Sequence, residues 1–462
     1  MIGAVHKSYA RGCATHEGNN RAYTLHGVHY LRLENNIAYH VKGHNVFIED
    51  AAETKNIMRG NLIMNTVRSM SLLNTDQSPA SFWITHPDNA FIENHAAGSD
   101  RYSYWYDLQT HAMGPSANIN ICSENVRVGE FRDNVAHSNG RYGLRIFHNM
   151  VPRKYPCKPV IRDPSRPDDM FWQNPLITAN FNGLTSYKNQ RAGAIFKTVG
   201  DIRLNNFKVA DNLMAGIEMS VTEYSWDDMA GAYNALVIGR SANTEESLEK
   251  NTPKGIITPR TDNCRVKDAR FFNFDWGTEV AAFSSCSHCW HDQATDSGAR
   301  TIKMSGLEFT NVKKRIHWDT PFKGIYYDVD GSLTGLGPKT WATPYYKHME
   351  QPECTKNLEV YDGVICDSTA QVRRVSFYLG KPVALMGMGF KILRYDDSIV
   401  GEMTSDDLVA YHGTRSNFGT ILFKEKTNPG NSWTMPLVTG HKYRVHWGIT
   451  GVDFESMRCE MG

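Results

Sequence analysis

The stretch from Asn74 to Tyr106, NTDQSPASFWITHPDNAFIENHAAGSDRYSYWY, constrains the fold more than any other part of the chain. An apolar strand containing Phe82, Trp83 and Ile84 runs into a Pro87-Asp88-Asn89 turn, and a strand beginning near Asn94 then passes Gly98 into a second aromatic strand ending Trp105-Tyr106. The same phrase, strand then Asn or Gly turn then strand, recurs in residues 31–50, 56–65, 129–147, 180–196 and 201–219. Aligning the turns places Asn36, Asn61, Asn94, Asn134, Gly183 and Asn206 in one register, with steps of 25, 33, 40, 49 and 23 residues. Self-similarity at the shorter steps predicts stacked coils, and the longer steps predict loops inserted on one face. Segments 266–284 and 302–319 fit more loosely and read as atypical late coils.

Strands this short cannot bury a face alone, so each must pair with its equivalent above and below. The expected fold is all-β: a right-handed parallel β-helix followed by a small antiparallel β domain. Asn and Gly tolerate positive φ at the bends, and stacked Asn amides can hydrogen-bond along the axis. Independent hairpins would not require a fixed offset between the asparagines and the neighbouring apolar strand. The expected organisation is a β-helix with inserted loops over 1–345, a disulfide-bracketed connection over 346–369, and an antiparallel domain over 370–462. Its strands are VRRVSFYL, VALMGMGFKIL, GTILFKE and KYRVHWGI, with turns at Asn428-Pro429-Gly430 and Thr439-Gly440.

No Pro/Gly/Ser linker interrupts the 462 residues, which suits a core that extends along an axis. Lys+Arg (50) and Asp+Glu (49) nearly cancel, which excludes an electrostatic case for nucleic acid. No apolar run is long enough to span a bilayer, and the first residues lack the apolar centre of a signal peptide. Repeat-like text begins by about residue 24 without a polar cap, so the chain is expected to be part of a longer protein or assembly.

Nine cysteines occur. Cys354 and Cys366 bracket a short loop, and Cys122 and Cys157 flank the fourth coil; disulfides at both places fit a secreted protein. Cys286-Ser-His-Cys289 is half of a zinc pattern, but no second half is spaced to complete a tetrahedron. An odd count leaves at least one free or intermolecular thiol, with Cys13 and Cys459 as candidates. No Asn-x-Ser/Thr sequon is present.

Several motifs together, HNVFIEDAAETKN (44–56), ASFWITHPDNAFIENHAAGS (80–99), HSNGRYGLRI (137–146), SYKNQRAGAIF (186–196), FKVADNLMAGIEM (207–219), YDVDGSLTG (327–335) and CDSTAQVRR (366–374), resemble segments shared by the cell-surface hyaluronidases and fibrocystin-L. These hyaluronidases are the cell-migration-inducing and transmembrane kinds. The resemblance covers nearly the whole chain and implies an extracellular or cell-surface β-helix. It does not choose a chemistry, because some members of this group are associated with hyaluronan binding and cleavage while the fibrocystin-like members are large surface proteins.

Glycan hydrolysis needs two carboxyl groups flanking the scissile bond. Glu49, Asp50 and Glu53 follow a coil strand and are the catalytic candidates, with Asp76, Asp88 and Asp107 on neighbouring coils; carboxylates at turns also cap backbone N–H groups. Arg141, Arg145 and His137 on coil four could hold an acidic polysaccharide by forked hydrogen bonds, and if the two arginines share a strand, alternation puts them on one face. Trp83 and Trp105, with Tyr102, Tyr104 and Tyr142, could form a sugar-stacking floor, about half of them being core. Asp328 and Asp330 in Asp-Val-Asp-Gly-Ser resemble the start of a calcium loop, but the twelfth position is Lys339, so a tight turn competes with an oxygen cage for Ca2+. No cofactor is required by any of these readings. The expected role is structural, adhesive or glycan-binding at the cell surface, with an extracellular glycan or another surface protein as partner; a hyaluronan-type polysaccharide hydrolase is the alternative.

Overall fold

The computed structural model describes residues 3–370 apart from 71–73, 160–172, 223–229, 244–251, 260–263, 287–299, 320–323, 346–348 and 350, and beyond 371 it describes the backbone of the strands named below. Three parallel sheets form the body. Face A runs from Tyr9–Arg11 to Gly324–Asp328, face B from Ala14–His16 to Glu308–Val312, and face C from Tyr23–Leu25 to Ile316–His317. Each coil visits A, B and C in turn, so the expected parallel β-helix is the observed one. Segments 266–284 and 302–319 are regular coils that supply strands to all three faces, not atypical ones.

The corners explain why the chain can repeat. Asn36, Asn61, Asn94 and Asn134 stack on the axis as expected: the Asn61 side-chain oxygen accepts the Asn36 backbone N–H (3.1 Å) and amide (3.0 Å), and Asn94 and Asn134 repeat the pattern. Gly183 and Asn206 are one residue out of this register. Their positions in the stack belong to Leu184 and Phe207, which directly precede the face B strands as Asn134 does. Gly183 (φ 68) and Asn206 (φ 57) instead continue the left-handed row of Asn35, Gly60, Glu93 and Asp133 one residue earlier. The two rows are adjacent in sequence, and Asn suits both, which is why turn composition alone merges them.

Two further asparagine stacks occupy the other corners. Asn56 accepts the Leu31 N–H (2.9 Å) and Asn89 accepts that of Asn56 (2.9 Å), at the entry to face A. At the entry to face C, Asn139 serves Ser99 (3.1 Å), Asn189 serves Asn139 (3.2 Å), Asn212 serves Asn189 (3.1 Å) and Thr252 serves Asn212 (2.7 Å). These asparagines are buried, so each side chain satisfies an N–H that would otherwise be lost to both water and the ladder.

Between the faces the core alternates large against small. Face A points Phe91, Phe131 and Phe181 inward and face C points Phe82 and Tyr104, while face B opposes them with Ala96 and Ala136. Farther along the axis, face A shrinks to Ala232 and face B enlarges to Phe271. The cross-section therefore stays filled at near-constant volume.

Parallel pairing stops at Gly324–Asp328. Thr340–Pro344, Gly363–Cys366 and Cys354–Asn357 then extend face A antiparallel, and the Cys354–Cys366 disulfide joins the last two strands. Cys122–Cys157 ties the loop after Tyr102–Tyr106 to the loop after Tyr142–Met150. Cys286 is disulfide-bonded too, which removes its thiolate from the zinc reading; His288 and Cys289 lie outside the described residues. Cys13 is free and exposed, and Cys264 is buried with its Sγ 3.8 Å from the Met219 sulfur, while the Cys459 side chain lies outside the described residues. In the C-terminal part Val372–Leu379 pairs antiparallel with Asn431–Val438 and Met457–Met461, and Phe390–Arg394 with Ile399–Met403 and Tyr443–Trp447. Both expected turns there lie outside the described residues.

At the end of face C, His317 sits between Asp319 (3.3 Å) and Asp362 (3.0 Å), the latter in the loop between the two antiparallel strands. These carboxylates raise its pKa to about 9. Asp319 is held in turn by Lys254 and by the Ser284 hydroxyl. This cluster fastens the antiparallel end-strands to the last coil.

Two outcomes follow from the corners and the end cluster. N94A orphans buried donors on Asn61 and should cost about 2–4 kcal/mol, whereas N206G, in the exposed left-handed row, should change stability by less than about 0.5 kcal/mol; urea denaturation of both variants checks this. His317 carries a folded pKa above its unfolded one, so its contribution is complete below about pH 6.5 and is lost as pH rises through about 9. Parent protein should lose thermal stability over that window by a margin that H317Q lacks.

Candidate functional site

The third asparagine stack fixes a row of arginines. Two residues after Ser99, Asn139 and Asn189 come Arg101, Arg141 and Arg191, one on each of three consecutive coils. The Arg141 N–H donates to the Arg101 carbonyl (2.9 Å) and that of Arg191 to the Arg141 carbonyl (2.9 Å), so the three stand directly above one another at the edge of face C. Among the described residues no carboxylate pairs with any of them; Asp100 next to Arg101 is taken by Arg68. Arg191 is exposed and the other two are partly exposed.

Arg141 and Arg145 do not share a strand, because Arg141 is the corner residue before Tyr142–Met150. Arg145 instead belongs to the outward row of face C, in register with Phe47, Trp83 and Trp105 on one side and Ile195 on the other. Its guanidinium covers the Tyr102, Trp105 and Phe147 rings at 4.6, 4.4 and 4.1 Å. Arg21 covers Phe47 in the same way at 3.4 Å and reaches the buried Asp76 (3.3 Å). Trp105 therefore lies under Arg145 and Trp83 is stacked against Phe47 and His44, each with only 6% of its surface exposed, and they are not an open stacking floor. Tyr104 points into the core. The positive charge, not the ring faces, is what this surface offers.

Asp107 follows this outward row directly after Tyr102–Tyr106. Burial pushes its carboxyl up to about 6, against the opposing pull of the Arg145 charge and the Trp83 indole. A carboxyl poised there can be protonated or ionised near neutral pH, as a general acid must be. Glu49 and Asp107 occupy equivalent places two rungs apart, each one residue past the register Ile48, Ile84, Tyr106. At the spacing of paired strands that separates their backbones by roughly 10 Å.

The three carboxylates after the coil-one strand divide by role. Glu53 is fully buried and accepts the backbone N–H groups of Gly27 (2.9 Å), Ala52 (3.2 Å) and Asp50 (3.3 Å), which makes it a cap and not a catalyst. Asp50 is buried and accepts the Ser116 hydroxyl (2.8 Å). Glu49 is partly exposed beside His26 (2.7 Å), and burial raises its pKa.

His137 is not part of the arginine surface. It lies on face B, with its Nε2 2.8 Å from that of His95 and its ring stacked on Tyr187 at 4.6 Å. Asp328 and Asp330, the calcium candidates, form the competing turn: Asp328 accepts the Gly331 and Thr334 N–H groups (3.1 and 2.8 Å), and Asp330 those of Ser332 and Gly306 (3.1 and 2.7 Å). Among the described residues, the group of three possible metal-ligating side chains whose ligand atoms converge is His26, Glu49 and Asp50. Arg101 and Arg191 escaped sequence reasoning, although SDRY, NGRY and NQRA carry the arginine at one place in three successive repeats.

Residues 1–144 match the family model described as CEMIP beta-helix. Human fibrocystin-L is 33% identical over 460 residues, covering 97% of this chain. The chain is a homologue of fibrocystin-L and of the cell-surface hyaluronidases. Zebrafish cell surface hyaluronidase is 25% identical over 96% of the chain, and human cell migration-inducing and hyaluronan-binding protein is 27% identical over 78%. The chain spans 10% of the length of fibrocystin-L and 34% and 31% of the other two. The resemblance read from the motifs is thus upheld.

The Asp107 carboxyl is raised from 3.8 to about 6, so its burial favours the neutral form: the group opposes folding increasingly as pH climbs from about 4 through 6. D107N should accordingly raise the melting temperature at pH 7.5 and leave it nearly unchanged at pH 4. Melting curves at the two pH values check the sign.

Proposed function

We propose that this chain is an extracellular or cell-surface β-helix that binds an acidic polysaccharide along the corner bearing Arg101, Arg141 and Arg191, in a structural or adhesive role. The observation that carries this reading is the unneutralised arginine row itself. One guanidinium per coil, at the regular spacing of a parallel sheet, presents forked donors in a line, and a polymer with carboxylates along its length can engage several at once. Arg145, half-buried beside the row, adds charge. The disulfides suit an oxidising compartment, and the surface location and hyaluronan binding in the relatives' names support the class of partner.

A second reading, hydrolysis of that polymer, is favoured by one observation, the Asp107 carboxyl held near 6 next to Arg145. It would serve as the acid, with Glu49 as the second carboxylate two rungs away.

Sized hyaluronan tests both. The R101A/R141A/R191A variant should bind at least tenfold more weakly than the parent while its stability changes by less than about 1 kcal/mol, since exposed charges contribute little to folding. Added salt should weaken the parent in the same direction. Unchanged binding by the triple variant removes the reading. Shortened products that D107N fails to release would establish the second one, and intact polymer after incubation with parent protein would dismiss it.

A further inference from the structure

We propose that His26, Glu49 and Asp50 form a binding site for one divalent transition-metal cation of the zinc or manganese kind. The ligand atoms of the three side chains all lie within 4.8 Å of one another. They come from two neighbouring coils held in register: Leu25 pairs with Ile48, so His26 and Glu49, each one residue farther on, stand side by side at the same corner of face C. The site is built by the sheet and not by a flexible loop.

The geometry of the contact points to a shared third atom. Nε2 of His26 approaches Oε2 of Glu49 to 2.7 Å, yet that oxygen is buried and accepts no hydrogen bond. The two atoms are paired without hydrogen-bond alignment, and a small separation of the two side chains would admit an ion between them. Asp50 offers a further carboxylate oxygen. Ser116 occupies its Oδ2, while no hydrogen bond to its Oδ1 occurs among the described residues, although the residue is 3% exposed.

The segment over Asp50 leaves Oδ1 room. Gly114 has φ +58, and a Cβ at that position would stand 2.6 Å from Oδ1. Any other residue type would both strain the backbone and press on the carboxylate. Ser116, two residues on, orients the opposite oxygen, which is the outer-sphere support that metal-binding carboxylates take.

Charge agrees with a cation. Glu49, Asp50 and Glu53 crowd one corner, and although the Arg21 charge is felt by Glu49, its guanidinium pairs with Asp76. Glu53 spends its oxygens on backbone N–H groups, so it supplies field and not ligation. One imidazole nitrogen with two carboxylate oxygens suits Zn2+ or Mn2+, whereas Ca2+ takes six to eight oxygens. The remaining positions would be left for water or for an oxygen of a bound molecule. Glu49 as a ligand could not also be the second carboxylate for Asp107, so the site stands independently of the polysaccharide reading and competes with its hydrolytic form.

The test is calorimetric titration of the chelator-treated 462-residue chain with Zn2+ and with Mn2+, beside H26A, E49Q and the double variant H95A/H137A, which removes the other close pair of imidazoles. The expected result is one equivalent bound by the parent and by H95A/H137A, with at least tenfold weaker binding in both H26A and E49Q. His26 is 51% exposed at its side chain and Glu49→Gln preserves shape while removing a charge that burial disfavours, so neither variant should melt appreciably below the parent in chelator. X-ray absorption on the zinc-loaded parent should show a nitrogen donor that H26A lacks. Absence of saturable binding, undiminished affinity in either single variant, loss of binding in H95A/H137A, or Ca2+ binding indifferent to H26A would overturn the assignment.

Discussion

Every corner of this β-helix must turn the chain while leaving no buried N–H without an acceptor. A strand of three residues offers too few ladder hydrogen bonds to absorb such a loss. The asparagine stacks solve this by letting each side chain accept the N–H of the residue one coil away, so that neighbouring coils complete one another's corners. Where the first stack ends at Asn134, the next rungs present Leu184 and Phe207, and the corner is held by packing against the enlarged core instead. The same backbone path is thus supported by amides in one half and by apolar contact in the other.

The outer chemistry depends on that arrangement. Because Asn139 and Asn189 are locked on the axis, residues two positions later cannot drift, and Arg141 and Arg191 are aligned whatever their own side chains prefer. Register on face C likewise sets Arg145 beside Trp105 and His26 beside Glu49. A solenoid converts a repeat in sequence into a line in space, and a line of like groups recognises a polymer better than a compact cluster does.

How much of this was legible follows from which signals are local. The parallel coils and the first asparagine stack were readable because Asn36, Asn61, Asn94 and Asn134 each precede a short apolar strand. Gly183 and Asn206 misled because the left-handed position and the stack position are adjacent and share residue preferences. Both described disulfide pairs were readable from the loops they bracket. Glu53 as a cap, Trp83 and Trp105 as covered rings, and His137 on a different face were not readable, since each depends on which side of a corner the chain has already passed. Arg101 and Arg191 were present in the aligned repeats, but attention to one coil at a time hides a feature that exists only between coils.

The arginine row also has an energetic argument attached to it. Three like charges stacked one per coil, about 5 Å apart, repel by roughly 0.8 kcal/mol per neighbouring pair even in bulk water, and more beside a protein surface. Several arginines elsewhere on this molecule are matched, Arg11 and Arg32 sharing Glu34, Arg132 meeting Glu93, Glu130 and Asp133, and Arg203 meeting Asp201, while Arg59, Arg127, Arg265 and Arg270 stand singly without a carboxylate among the described residues. Among the described residues the row at 101, 141 and 191 receives no such partner, and the nearby Asp100 is drawn away by Arg68. Folding does not explain like charges left side by side on a surface where carboxylates pair readily. The anionic ligand proposed above would relieve the repulsion on arrival and gain the forked contacts as well.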